Sequence, residues 1–175
     1  MAIIKPNNNT ISAITALPAA IPTGKVLQVK YTSIATEQTV VNAFDVDVTG
    51  LSVTITPTSS SSKFLITSSV QARNNDNTGY GIQIVKTVGG SSSTIFAENS
   101  VNTENRFNTY INSSDSGIQL RSRKSIQYLD SPSTSSEIVY KIQVDTDNSV
   151  ILQTEDSAAY ISVIEVSSWW LKKQY

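Results

Sequence analysis

Hydrophobic and polar residues alternate with a period of two along most of the chain. The alternation is strict over residues 51–56 and holds over 138–144 except at Val139, and apolar residues share one face over 64–72 and 80–84. This period is typical of β-strands that bury one face, whereas a helix repeats about every 3.6 residues. No helical periodicity extends beyond a turn or two. The pattern therefore predicts an all-β protein.

Loops rich in serine, glycine, asparagine and proline separate the apolar segments and predict about eight to ten short strands. Residues 145–149 are polar and lie between apolar segments, which predicts a hairpin turn. Residues 160–166 are apolar on both faces, which predicts a strand covered on both sides. Many short strands without a long internal repeat favour an antiparallel β-sandwich over residues 24–175, with a jelly roll as the expected topology.

Residues 1–23 predict an extended N-terminal arm. Pro18 and Pro22 fix φ and remove backbone donors, so this segment cannot supply a central strand or a stable helix. Two interpretations stay open: the arm lies on its own domain, or it docks on a neighbouring subunit or a larger shell. We expect it to be the attachment device. Its candidate interface residues are the aliphatic side chains of Ile11, Ile14, Leu17 and Ile21.

The absence of histidine and cysteine excludes several classes of enzyme and metal site. The chain has no Ser-His-Asp triad, no thiolate nucleophile, no zinc ribbon and no disulfide. Its formal net charge is −1, so no basic field attracts nucleic acid or anionic lipid. The basic residues Arg121, Arg123 and Lys124 are expected to be solvated or to lie at an interface. We expect no nucleic-acid partner and no cofactor.

Two groups of acidic residues are candidates for chemistry, and neither is complete. Asp145 to Asn148 resembles the start of a calcium loop but lacks the following glycine and the final glutamate, so a turn is the preferred interpretation. Asp45 and Asp47 lie two apart and would share one face of a strand. Possible partners for a glycosidase-type carboxylate pair are Glu98, Glu104 and Glu165. Nothing distinguishes any of them, so we assign no catalytic and no metal-binding residue.

Trp169 and Trp170 are the least ordinary feature of the sequence. Consecutive residues of a strand point to opposite faces, so both rings are not expected in one core. Three roles stay open for them: packing within the domain, a protein interface, where tryptophan is enriched, or stacking on a glycan. Both residues are therefore candidate interface residues.

The N-terminal residues contain no apolar run of signal-peptide length, and no segment has about 18 consecutive apolar residues. We therefore expect no membrane insertion. We expect the chain to be made in a cytoplasm and, if it ends up outside a cell, to get there through lysis or assembly into a particle.

Three stretches carry a resemblance to known proteins: residues 14–18 leading to GKVLQV at 24–29, TGLSVTITP at 49–57 with the serines before KFLI at 63–66, and YISVIEV at 160–166. Together they resemble the jelly-roll-like domains of virion proteins of marine tailed phages, including tail-fibre and appendage proteins. The resemblance covers roughly half of the chain. Residues 89–136 depart from it.

The resemblance implies a non-enzymatic component of a phage particle that forms a homotrimer. A single domain with a short arm favours a decoration protein, or a short appendage or fibre-type protein, over a complete fibre. Its partners would be copies of itself and other virion proteins of the capsid, portal or tail. The alternative is a receptor-binding module at a fibre tip that recognises a host surface glycan.

Overall fold

The computed structural model describes residues 25–75, 79–97, 109–110 and 119–168. This part of the chain has nine strands and no α-helix, and hence no helix that could span a membrane. The strands are β1 (Val26–Ile34), β2 (Gln38–Ile55), β3 (Lys63–Asn75), β4 (Gly79–Val88), β5 (Ser91–Ala97), β6 (Thr109–Tyr110), β7 (Gln119–Asp130), β8 (Ile138–Leu152) and β9 (Ala159–Val166).

The long strand pairings are nested within one another. β4 pairs with β5, β3 with β7, β2 with β8 and β1 with β9, all antiparallel. The strands thus form one long ribbon, and the turn between β4 and β5 is its tip. Gly89 and Gly90 occupy this turn with φ values of 56° and 83°. Two consecutive positive φ values suit a type I′ turn, whose twist matches that of the flanking strands.

Rolling of the ribbon produces two sheets. The first sheet has the order β1-β9-β3-β7, and the second has the order β2-β8-β4-β5, with the short β6 beside β4. Eight strands in two such sheets form a jelly roll. The predicted all-β antiparallel sandwich is confirmed. Residues 1–23 lie outside the described residues.

The core lies between the sheets and follows the alternation of the sequence. Ile138, Tyr140, Ile142 and Val144 of β8 are fully buried, and the residues between them are only half-buried. The inward residues of β3 and β4 are also buried. The ring centroids of Phe64 and Tyr140 are 6.0 Å apart across the two sheets. The apolar faces predicted for these strands are therefore confirmed.

The predicted hairpin turn at residues 145–149 is wrong, because β8 continues through it. Residues 138–146 of β8 pair with β4 in the second sheet, and residues 150–152 pair with β3 in the first. β8 thus changes sheets within the polar run. Between these two parts, β8 has one residue more than β2 opposite it, which is a β-bulge.

Polar side chains of this run bond to Gly79, where the ladder between β4 and β8 ends. The Thr146 hydroxyl donates to the carbonyl oxygen of Gly79 at 2.9 Å. The Gly79 N–H donates to Asp147 Oδ1, also at 2.9 Å. Polar residues with local hydrogen bonds suit a turn and a bulge equally, so composition alone could not distinguish the two.

Gly50 marks an irregularity in β2, at a register shift between Asp47 and Ser52. Its φ is +79°, and a Cβ atom on this residue would lie 3.3 Å from Ile34 Cγ2. Both the backbone conformation and the neighbouring side chain therefore favour glycine at this position.

We predict that Gly50→Ala lowers the free energy of unfolding by about 1–2 kcal/mol, because alanine is strained at positive φ. Chemical denaturation of both proteins measures the difference. Ser52→Ala, an exposed change in the same strand, is the control and should leave stability unchanged. Equal stabilities for Gly50→Ala and the unmodified chain would contradict the prediction.

Candidate functional site

The six candidate interface residues lie outside the described residues. They are Ile11, Ile14, Leu17, Ile21, Trp169 and Trp170. The described chain begins at Lys25 and ends at Ser168, and these two ends are adjacent. The Ser167 N–H donates to the Lys25 carbonyl oxygen at 3.1 Å. The segments with the candidate residues are thus both connected to the same end of the first sheet.

An apolar stripe crosses the outer face of the first sheet close to this end. Val29 of β1 is directly opposite Ile164 of β9, Ile164 is opposite Leu65 of β3, and Leu65 is opposite Leu129 of β7. Directly opposed residues of antiparallel strands place their side chains on the same face. The four residues therefore form one row from edge to edge of the sheet, and we refer to Val29, Ile164, Leu65 and Leu129 as the outer stripe.

The outer stripe is open to solvent. Val29 is 55% exposed and Leu129 is 47% exposed, while Leu65 and Ile164 between them are half-buried. Further apolar groups of β1 extend the stripe along the edge: Val26 and Tyr31 are both exposed, and the Tyr31 ring stacks on Tyr160 at 6.1 Å. Contiguous exposed apolar surface of this kind is typical of an interaction site.

The outer stripe was not predicted from the sequence, although part of its apolar pattern is visible there. The apolar residues on both faces of residues 160–166 indicated that β9 would be covered on both sides. β9 is an interior strand with one face buried and the other half-buried. The alignment of its outer residues with Leu65 and Leu129 depends on pairings between strands that are far apart in sequence. A local pattern does not contain that register.

Three polar side chains near the core, those of Asp130, Lys86 and Tyr140, form a hydrogen-bonded group. Asp130 is almost fully buried and accepts hydrogen bonds from Lys86 Nζ at 3.0 and 3.1 Å and from the Tyr140 hydroxyl at 2.8 Å. Burial, together with the adjacent Asp130 carboxylate, raises the pKa of Tyr140 far above its ordinary value. The phenol therefore stays protonated and serves as a donor. This group links β7 of the first sheet to β4 and β8 of the second.

The candidate carboxylates Asp45 and Asp47 also accept hydrogen bonds from neighbouring side chains. Gln83 Nε2 donates to Asp45 and to Gln143, and Gln143 Nε2 donates to Asp47 at 2.7 Å. Burial raises the pKa of Asp47, but the bonds from Lys141 and Gln143 lower it below its ordinary value. The two carboxylates thus belong to one surface network of β2, β4 and β8, and this network accounts for their placement.

The remaining candidate groups separate in the structure. Arg121 forms an ion pair with Glu155, and Arg123 Nη1 donates to the Ala158 carbonyl oxygen at 2.9 Å. Lys124 points to the opposite face, with its Nζ 4.9 Å from the centre of the Tyr80 ring. Within the described residues, no group of three or more acidic, histidine or cysteine side chains could hold a metal ion. Glu98 and Glu104 lie outside those residues.

Glu165 is fully buried and anchors the edge strand beneath the outer stripe. Its carboxylate accepts bonds from Gln28 Nε2 at 2.6 Å, the Thr58 N–H at 2.7 Å and the Thr58 hydroxyl at 2.9 Å. Burial raises the pKa of Glu165, but the nearby Ser62 hydroxyl and the hydrogen bonds from Gln28 and Thr58 lower it below its ordinary value. Glu165 therefore has a structural role: it ties β1 and the β2–β3 loop to β9.

No family model matches the chain, and no curated protein matches it. Solved structures that match include particles of infectious bursal disease virus. The derived T=1 particle has 10% identity and a TM-score of 0.35, over 81% of this chain and 39% of the other. The Gx strain structure has 11% identity and a TM-score of 0.35, over 82% and 38%. The VP2 subviral particle has 10% identity and a TM-score of 0.32, over 81% and 40%.

The chain thus spans about two fifths of the length of these viral proteins. Likenesses with TM-scores this low establish neither common ancestry nor common function. The fold assignment rests on the strand pairings described above.

We predict that Glu165→Gln lowers the free energy of unfolding at neutral pH by about 2–3 kcal/mol, because buried donors lose a charged acceptor. The folded pKa of Glu165 is depressed, so its contribution is complete above the unfolded value. That contribution is lost as the pH falls through the folded value, below the ordinary value of 4.5. Part of the acid destabilisation should therefore disappear in Glu165→Gln.

Denaturation at a series of pH values from neutral to acid measures both effects. Glu155→Gln is the control, because Glu155 is exposed and its ion pair contributes about 0–1 kcal/mol. A Glu165→Gln protein as stable as the control at neutral pH would contradict the prediction.

Proposed function

We propose that the chain is a non-enzymatic structural protein on the surface of a bacteriophage particle, either a decoration protein or a short appendage or fibre-type protein. The observation that carries this proposal is the outer stripe, an apolar row that crosses a complete sheet face and remains open in the single chain. Such a surface suits a protein that functions in an assembly. The jelly-roll topology and the sequence resemblance to phage virion proteins support the same class.

The hydrogen bonds that the carboxylates accept support a non-enzymatic role. A catalytic pair requires acid and base groups that face a substrate. Asp45, Asp47, Asp130 and Glu165 instead accept hydrogen bonds from neighbouring strands and loops. These carboxylates hold strands and sheets together, so their roles are accounted for without a substrate.

Self-association is the second part of the proposal, with a homotrimer as the expected state. The outer stripe would be buried between copies, and closed symmetry would leave no such surface open. The third part is attachment: the N-terminal arm joins the domain to other virion proteins of the capsid, portal or tail. Burial of its four aliphatic residues, on a neighbouring copy or on another virion protein, would contribute roughly 25 cal/mol per Å² of buried apolar surface, less the cost of ordering the segment.

We predict that Val29→Ser combined with Leu129→Ser weakens self-association by tenfold or more, equivalent to about 1.4 kcal/mol. Both residues are exposed in the single chain, so its stability should change little. Light scattering over a concentration series measures the association. Val41→Ser is the matched control, because Val41 is 61% exposed and lies in β2, which contributes no residue to the outer stripe. Equal weakening by the control would count against the outer stripe as an interface.

We predict that deletion of residues 1–20 leaves a folded, soluble domain that no longer joins the particle. All described strands begin after residue 25, so the deletion removes none of them. Mass spectrometry of purified particles measures incorporation, and denaturation of the truncated protein checks its folding. If the truncated protein is incorporated normally, the arm is not the attachment segment, and Trp169 and Trp170 become the better candidates.

A cryo-EM map of the same particles tests the function directly. If the proposed function is correct, the map shows the protein on the surface of the particle. A glycan-binding protein found only at fibre tips would instead identify a receptor-binding module. Absence from the particle would overturn both assignments.

A further inference from the structure

The described chain begins at Lys25 and ends at Ser168, both near the outer stripe, and these two ends make different contacts. Beyond Ser168, the chain continues from a residue whose hydroxyl bonds to the Ser61 hydroxyl at 3.2 Å. Ser61 belongs to the β2–β3 loop, which connects the two sheets. Ser168, the last described residue, therefore lies beside this loop. The N-terminal segment joins the sheet at Lys25, beside the exposed Val26 and at the apolar end of the outer face.

The arm is chemically matched to the outer stripe. No charged residue occurs between Lys5 and Lys25, and residues 11–21 contain the four aliphatic anchors. Pro18 and Pro22 lack N–H donors, so the arm is poorly suited to extend the sheet along the free edge of β1. A segment that cannot supply regular ladder bonds can still bury its side chains on a sheet face.

The length of the arm is sufficient for this contact. The outer stripe crosses four strands, and three spacings of about 4.8 Å give a width of roughly 14 Å. An extended segment of ten residues reaches roughly 33 Å. Residues 11–21 can thus cross the whole stripe and leave the residues nearest β1 as a connection.

The point at which the arm connects favours a neighbouring copy over its own domain. β1 runs from Val26 at the apolar end towards Ile34, so Lys25, to which the arm connects, lies at the end of the sheet beyond the row of Val29. Leu17 and Ile21 each precede a proline, which biases both towards an extended backbone. An extended arm that begins at the end of the sheet would reach beyond its own domain.

We infer that residues 11–21 of one copy pack on the outer stripe of a second copy. This inference rests on the self-association in the proposed function and names the two surfaces that meet. The aliphatic anchors of the arm cover Val29, Ile164, Leu65 and Leu129 of the neighbour. Each copy then supplies an arm and receives one, which suits a closed ring of copies.

The absence of cysteine from the chain gives a direct test. Leu17→Cys and Leu129→Cys are introduced into separate full-length chains with different tags, and the two chains are co-expressed and oxidised. Only a contact between copies can form the mixed disulfide. We expect a yield on the order of tenfold above the control, because thiols held in one assembly react at a high effective concentration. The control replaces Leu129→Cys with Val41→Cys, at an exposed apolar residue of β2 outside the outer stripe.

Two further measurements complete the test. Ile14→Cys and Ile21→Cys, paired with Leu129→Cys, allow for a different register of the arm, and a yield at the control level for all three arm positions overturns the inference. In a double-mutant cycle on self-association, Leu17→Ser and Leu129→Ser should be non-additive, whereas Leu17→Ser and Val41→Ser should be additive. Additivity in both pairs also overturns it.

The possible failures are distinguishable. If the full chain self-associates by light scattering but forms no mixed disulfide above the control, the proposed function stands and the inference is wrong. If one chain with both Leu17→Cys and Leu129→Cys forms only an internal disulfide while it self-associates, the arm lies on its own domain and the inference is again wrong. If the full chain is monomeric, self-association itself fails, and the inference fails with it.

Discussion

The nested antiparallel pairing is the constraint on which the rest of the structure depends. Each strand before the glycine turn has its main partner after it, and the outermost pair joins β1 to β9. Neither sheet is complete until the ribbon has rolled up, because each sheet combines strands from both halves of the chain. Long-range pairings of this kind incur a loop-closure cost before they add stability. Among the described strands, the tight turn at Gly89 and Gly90 provides the one long pairing that is local in sequence.

Rolling of the ribbon also explains where the buried polar groups occur. Two facing sheets bury their inward residues, and a charged group there requires partners from the opposite layer or a nearby loop. Asp130 of the first sheet finds Lys86 and Tyr140 in the second. Glu165 finds Thr58 in the loop that connects the two sheets. Both carboxylates therefore define how the layers meet, and this structural use explains why neither is available for chemistry.

The strands and their buried faces could be predicted from the sequence, because alternation is a local property. The choice of inward-facing residues in β8 and the apolar face of β3 both follow directly from the alternation. The bulge in β8 could not be predicted, since a polar run suits a turn or a bulge, and the register of β8 against the distant β2 decides between them. The outer stripe also could not be found, because it exists only when four strands are in register. The six candidate interface residues lie in segments outside the described residues, so their roles remain predictions.

The outer stripe is difficult to explain as a contribution to the stability of a single chain. A jelly roll needs one apolar face on each sheet, and the first sheet already has one in its inward residues. Val29 and Leu129 lie on the other face and at opposite edges, where exposed apolar side chains give an isolated domain little stability and increase its tendency to aggregate. Serine, threonine and glutamine occupy most of the next row along the same face, at Ser162, Thr67 and Gln127. The apolar row across all four strands thus lies at the end of the sheet where both terminal segments connect, while Tyr31 and Tyr160 extend it along the β1 edge. Such a surface is expected to become buried when copies of the chain assemble.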